Sequence, residues 1–330
     1  MIEVKYMRVV FALFLLPVCS IASGQQLPPE LGQVETLIRA ARFQDARQIL
    51  DRLSASNQDP GTQLAIAAAR AQNTLLRGLI TRDRSGHSGA LSMLMEHLPL
   101  LERVEDPNVQ AKFKAAHAYA LLGNREPDAA RAQYGEAITL FERAGNAYDA
   151  AHARAMVIMM DHSRPRREKD MPVLEALVPA FEREIIYARS AGNDVALAYN
   201  ERHLAAILHE GFGKLEEALV LYRASLASRE RAGFYVLIPA SLYSLGEVLV
   251  ALGRTDEAIG FYRRSLARAG AIGFRRYMID PHLRIGEILM AGDQSSQARR
   301  EFQAALDAAV AEGHAASIER ARESLASIAH

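Results

Sequence analysis

The feature that most constrains this 330-residue chain is a recurring step of 40 residues. Ala232-Gly233-Phe234 is followed one step later by Ile272-Gly273-Phe274, and one step after that by Glu312-Gly313-His314. The same step joins Ala206, Gly246 and Gly286, then Ala218, Ala258 and Ala298. It also joins Tyr222, Tyr262 and Phe302, then Ser225, Ser265 and Ala305. A fixed period of this length means a stack of like units, each burying its apolar face on its neighbours. Upstream, Ala130, Tyr134, Ala137 and Gly145 keep the same internal spacing, and Ala144-Gly145-Asn146 returns as Ala191-Gly192-Asn193.

Each unit reads as two helices. Residues 236–251 and 255–271 both carry apolar positions three and four apart. Gly253 separates them, and Thr255 and Glu257 supply a helix start. The small columns at 206/246/286 and 218/258/298 are expected to face each other across the pair, letting the axes approach at the tight end of ~8–10 Å. The aromatic column is then expected to fill the hole between one unit and the next. Gly233, Gly273 and Gly313 end the second helices, where a left-handed residue is cheapest.

These columns resemble the tetratricopeptide repeat family, whose pattern sets a small residue, an alanine, an aromatic and another small residue at comparable spacing. The resemblance covers 195–330 well and 110–145 fairly, is weaker at 30–55 and 147–190, and leaves 60–105 irregular. The step is longer than the family's usual one, the closing proline is missing, and Arg202 and His282 stand where a large apolar residue is usual. The resemblance implies an all-α fold, a right-handed αα solenoid. Residues 314–329, with Ile318, Leu325 and Ile328 opposite Glu319, Arg320 and Glu323, are expected to form a C-terminal capping helix.

Residues 1–24 have another character. Lys5 and Arg8 precede an apolar run from Val9 to Ile21, and small residues follow at Ala22, Ser23 and Gly24. This is the layout of a secretory signal cleaved near Ala22 or Gly24. The run is short of the ~20 residues of a membrane span and contains Pro17. A lipoprotein signal acylated at Cys19 is the alternative, disfavoured by Val18 where a small residue is expected. Residues 25–330 then form the repeat domain, expected in the periplasm and not spanning the membrane. Cleavage removes Cys19, the only cysteine, which suits an oxidising compartment. Losing Lys5, Arg8 and Glu3 leaves 37 basic against 38 acidic residues. With no positive excess to displace counterions, nucleic acid is not expected as a partner.

Catalytic patterns are absent. His209-Glu210 lacks the second histidine of a zinc helix, Gly211-Phe212-Gly213-Lys214 lacks phosphate-loop spacing, and there is no Gly-x-Ser-x-Gly elbow. His203 and His209 diverge on a helix, and neither they nor Asp161-His162 make a metal set. No enzyme activity, metal or cofactor is expected. The period is interrupted once: Gly145 to Gly192 spans 47 residues. The surplus falls at 161–171, expected to be an inserted loop whose Arg164, Arg166, Arg167 and Lys169 could contact an acidic partner.

In tetratricopeptide arrays the first helix of each pair lines the concave groove. That resemblance assigns Asn200, His203, Ile207 and Glu210 to the groove, then Tyr243, Glu247 and Val250, then Asp280, Leu283 and Glu287. The family's Lys/Asn clamp for peptide carboxy-termini is missing, since its positions hold His203/Ile207, Tyr243/Glu247 and Leu283/Glu287. Three carboxylates on one stretch would favour a basic ligand. The function expected is a non-catalytic scaffold for a protein or peptide, with basic character favoured in the partner. The alternative is a sensory or regulatory module partnering a membrane signalling protein of kinase or cyclase type.

Overall fold

Helix termini explain much of the local sequence. Gly145 and Gly192 end their helices in the left-handed region, and Asn146 and Asn193 at once begin the next. The Asn146 side chain accepts from the Asp149 amide at 3.0 Å, and Asn193 accepts from that of Ala196 at 2.9 Å. This satisfies amides that helix starts leave orphaned. Gly233, Gly273 and Gly313 take φ of 63°, 73° and 62°, and the following residue closes each helix by donating five residues back.

The fold was obtained as a computed structural model of the chain, which describes residues 27–81 and 85–328. Residues 1–24, expected to be a signal, and Cys19 among them, lie outside the described residues. Fifteen α-helices and no strand occur among the described residues. Seven pairs follow one another: α1 (Glu30–Arg39) with α2 (Phe43–Ser56), α3 (Pro60–Thr81) with α4 (Ser85–His97), and α5 (Pro107–Gly123) with α6 (Pro127–Arg143). Next come α7 (Ala147–Glu168) with α8 (Met171–Ser190) and α9 (Asp194–Ala206) with α10 (Leu215–Arg231). The last pairs are α11 (Ile238–Ala251) with α12 (Thr255–Ala271) and α13 (Arg276–Ala291) with α14 (Ser295–Ala311), after which α15 (Ala315–Ser327) stands alone. Each helix packs on the next, and α1 also meets α3, α3 meets α5 and α7 meets α9. The chain is an αα solenoid, and the irregular stretch 60–105 is one more pair within it. Ile318, Leu325 and Ile328 of the last segment pack on the core, with Glu319, Arg320 and Glu323 exposed.

The residue columns have a different geometry from the one their spacing suggests. Ala218, Ala258 and Ala298 are fully buried, and so are the aromatics sixteen residues after each glycine of the first helix. Those aromatics do not fill the gap between units. Each lies on the glycine of its own pair: a Cβ on Gly246 would sit 2.3 Å from the Tyr262 ring, and one on Gly286 would sit 2.4 Å from Phe302. The serine column donates across the same pair, Ser225 to the Ala198 carbonyl at 2.7 Å and Ser265 to that of Pro239 at 2.8 Å. Where Ala206 replaces glycine, the chain opens into a π turn over Ile207–Gly211, and Tyr222 meets the His209 ring edge-on.

The surplus at 161–171 is not an inserted loop. It is taken up by helix length: α7 has 22 residues and α8 has 20, against 14 and 17 for α11 and α12. The helix runs through Pro165 to Glu168, and only Lys169, in the left-handed region, and Asp170, which caps α8, lie between the two helices. Helical backbone continues because later residues still close turns around the proline, whose carbonyl accepts from the Asp170 amide at 2.9 Å. Lys169 is exposed; the side chains of Arg164, Arg166 and Arg167 lie outside the described residues.

The array also closes on itself. Val34, Leu37, Ile38, Phe43 and Leu50 of α1–α2 share one core with Val195, Phe234, Val236 and Leu237, near the middle of the chain. The Phe43 ring lies 6.2 Å from that of Phe274, and Asn73 of α3 donates to the Phe43 carbonyl at 3.2 Å. The first pair therefore rests on the entrances of α9, α11 and α13.

The glycine contacts yield a paired prediction. Gly246→Ala should destabilise by about 1–3 kcal/mol, the overpacking cost outweighing alanine's helix preference. Gly260→Ala, in α12 with nothing near its Cβ, should instead stabilise by up to about 1 kcal/mol. Urea unfolding of the two variants measures both signs.

Candidate functional site

Because α1 turns back over the array, the first helices of the leading five pairs enclose a cavity of about 200 Å³. Small residues make the room: Ala65, Ala68 and Ala69 on α3, Ala115 on α5 and Ala153 on α7. Aromatic groups form the walls, chiefly Tyr119, Tyr134, Tyr199 and Phe234. The Tyr199 ring lies 6.2 Å from Phe234 on one side and is stacked at 6.0 Å on His152 on the other.

One edge is charged. Lys112 of α5 reaches Glu35 of α1 at 3.5 Å and Asp149 of α7 at 3.6 Å, and Arg39 lies 3.9 Å from Glu35. Asp149 is further held by the Asn146 amide at 2.8 Å. Burial opposes the Lys112 charge, yet the Asp149 and Glu35 carboxylates outweigh it and hold its pKa above the ordinary lysine value. Burial pushes the His152 imidazole down, so it is neutral at pH 7. Burial raises the phenols of Tyr119, Tyr134 and Tyr199, and they stay protonated. Two acids and two bases balance at this edge, and the rest of the lining is apolar or neutral. Such a site binds through shape, aromatic contact and hydrogen bonding.

The groove residues expected from the register lie elsewhere. Asn200 is 1% exposed, and neither end of its amide finds a hydrogen-bond partner. His203 belongs to an aromatic layer between α7, α8 and α9, 5.1 Å from His162 and 6.4 Å from Tyr199. Ile207 and Leu283 are fully buried and cannot line a surface. A groove-facing assignment fails there because the helices are wrapped on both sides and those positions point into the stack. Glu210 is exposed, Val250 is half-buried, and Tyr243 is half-buried with its ring 5.6 Å from that of Tyr262.

The expected acidic stretch is neutralised. Glu247 accepts from the Tyr262 hydroxyl and from Arg284 at 2.8 Å. Arg284 also binds Glu287 at 2.8 Å, which Arg320 of α15 reaches at 2.6 Å. Asp280 faces Arg276 at 3.9 Å. This ladder ties α11, α12, α13 and α15 together rather than presenting bare charge. Among the described residues, no three His, Cys, Asp or Glu side chains gather as a metal set, and no helix is long and apolar enough to cross a membrane.

The cavity is lined mainly by residues before 195, outside the stretch where the repeat columns are clearest. Lys112, Ala115 and Tyr119 fall on one face of α5, and Asp149, His152 and Met156 on one face of α7. That spacing was legible. The wall made by α1 had no local signal.

Comparison with known proteins agrees with this architecture. Residues 194–271 match the tetratricopeptide repeat family model. That segment spans α9 to α12, where the columns are clearest. No curated protein matches the chain. Among solved structures, the chain is similar to a Rap protein complexed with Competence and Sporulation Factor, at 14% identity and a TM-score of 0.52, covering 91% of this chain and 96% of that one. It is equally similar to the Rap conjugation gene regulator of plasmid pLS20 in complex with the Phr* peptide, at 13% identity, TM-score 0.52, and 92% and 97% coverage. Aspartyl phosphate phosphatase F from Bacillus subtilis aligns at 9% identity with a TM-score of 0.51, over 91% and 95% of the two chains. At these identities the likeness is one of fold.

The lysine bridge makes a testable claim about how the wall is held. Lys112→Met should leave Glu35 and Asp149 without their shared cation, at a cost on the order of 1 kcal/mol for such half-exposed pairs. Hydrogen exchange should quicken in 30–39 and 147–153, while 255–327 stays unchanged.

Proposed function

We propose that this chain is a non-catalytic binding scaffold of tetratricopeptide type, which holds a protein or peptide by an anchor group placed in the cavity between α1 and α9. The observation that carries the reading is the lining: small residues and aromatics inside, a balanced charged edge, and neutral His152 and tyrosines as the hydrogen-bonding groups. A cavity of about 150 Å³ takes a benzene ring, so about 200 Å³ takes one side chain or a small head group rather than a folded surface. The fold supports the same reading, since a Rap regulator of this shape is known in complex with the Phr* peptide. Because Glu247 and Glu287 are ion-paired, they give no reason for the partner to be basic.

Export to the periplasm, with loss of residues 1–24, is part of the proposal and rests on the amino-terminal charge and hydropathy pattern. The sensory alternative, a module serving a membrane signalling protein, draws on the same cavity: a ligand that orders α1 against α9 changes the surface offered to a partner.

Two measurements test the proposal. Sequencing the amino-terminus of protein recovered from the periplasm should find it starting just after Ala22 or Gly24; an intact Met1 in the cytoplasm would refute export. Ala115→Trp, which fills the cavity from the face of α5, should weaken capture of the partner from periplasmic extract by about tenfold or more. Equal capture by both proteins would move the binding surface elsewhere.

A further inference from the structure

Partly buried arginines in this chain are mostly matched to acids. Arg154 makes a two-point contact with Glu184 at 2.7 and 2.9 Å, and Arg284 spans Glu247 and Glu287. Arg229 on α10 is the departure. It is 2% exposed, deeper than either, and no carboxylate lies within ion-pair distance among the described residues. One guanidinium nitrogen donates to the Leu237 carbonyl at 2.9 Å and to the Ser241 hydroxyl, while its Nε finds no acceptor. The ionisable groups that act on it are Arg202, Tyr199 and Tyr277. Burial, and then the like charge of Arg202, draws its pKa down to about 10, so it remains a cation at neutral pH. Arg202, half-buried on α9, makes no ion pair or hydrogen bond of its own among the described residues. An unaccompanied guanidinium in the interior is costly, and a second cation beside it makes it more so.

The place matters as much as the charge. Arg229 accepts at its carbonyl from the Phe234 amide at 2.9 Å, and Tyr199 lies one helical turn before Arg202. Phe234 and Tyr199 are both walls of the cavity. Neither arginine lines the cavity itself; both stand behind the Tyr199 and Phe234 walls at its α9 end.

We propose that Arg229 and Arg202 form an anion-binding subsite at the α9 end of the cavity, taking the carboxylate or phosphate of a ligand whose apolar or aromatic part fills the space between Tyr119 and Tyr199. The proposal rests on the cavity being the binding site. It adds the ligand's chemistry: one anionic oxygen group next to a body about the size of an aromatic ring. Guanidinium groups suit this task because their planar donors match two oxygens at once. The Tyr199 phenol, itself part of the cavity wall, can donate to the same group.

The test uses three probes of one shape on the purified protein: benzoate, phenyl phosphate and benzamide, titrated by calorimetry and by shifts of the tyrosine ring signals. Benzoate or phenyl phosphate should bind about tenfold or more tighter than benzamide, the difference expected of hydrogen bonds to a charged group. Whichever of the two binds tighter identifies the anion as carboxylate or phosphate. Arg229 also clamps the turn before α11, so its removal risks the fold, and the decisive variant is Arg202→Gln. It should reduce the preference for the anion to about threefold or less, leaving benzamide binding unchanged and the melting temperature no lower than that of the parent. Benzamide binding as tightly as both anions would overturn the subsite while leaving the cavity as the binding site. Anion binding that survives Ala115→Trp would also overturn it, by separating the arginines from the cavity. If none of the three probes binds, the cavity reading fails and the subsite falls with it.

Discussion

The architecture depends on two places where a ring lies directly on helix backbone. At Gly246 and Gly286 the first helix of a pair offers no side chain, and Tyr262 and Phe302 occupy the vacated space. That contact fixes how near the two axes come, which sets where the alanine column is buried and which carbonyl the serine column can reach. Dispersion in such a contact is small per atom and large per ring. Repetition of the same contact in neighbouring pairs gives the last third of the chain its regularity.

The repeat and its helices were legible because a helix pair leaves a local imprint: a glycine at one end, an alanine and an aromatic at set distances, asparagine where the next helix begins. Ala144-Gly145-Asn146 and Ala191-Gly192-Asn193 are such imprints, and each proved to be a left-handed stop joined to a side-chain cap. Direction was harder to read than spacing. The spacing points the aromatics to the gap between units, whereas they lie within them, and it points Ile207 and Leu283 to a surface, whereas they are core. A register fixes the angle around a helix but not which neighbour occupies that side. In the 161–171 stretch, a proline and a cluster of charges suggested a loop, yet helix propagation around Pro165 absorbed the extra residues.

Charge behaves in the same way. Glu247 and Glu287 share a register, and from sequence alone they add. In the fold Arg284 stands between them, with Arg320 from the final helix beyond, so the row alternates in sign across three units. The cavity edge repeats the arrangement with Lys112 between Glu35 and Asp149. Interactions that cross from one unit to another decide the net field, and these are the contacts a linear pattern does not contain.

The packing of α1 and α2 on the entrances of α9, α11 and α13 changes what kind of object the array is. An open stack of repeats transmits force and unfolding only to nearest neighbours, and its ends fray without consequence for the middle. Here Phe43 meets Phe274 across some 230 residues of sequence. The contact works as a buckle on a belt: while it is fastened, the curvature of every unit between is held at one value, and opening it releases them all together.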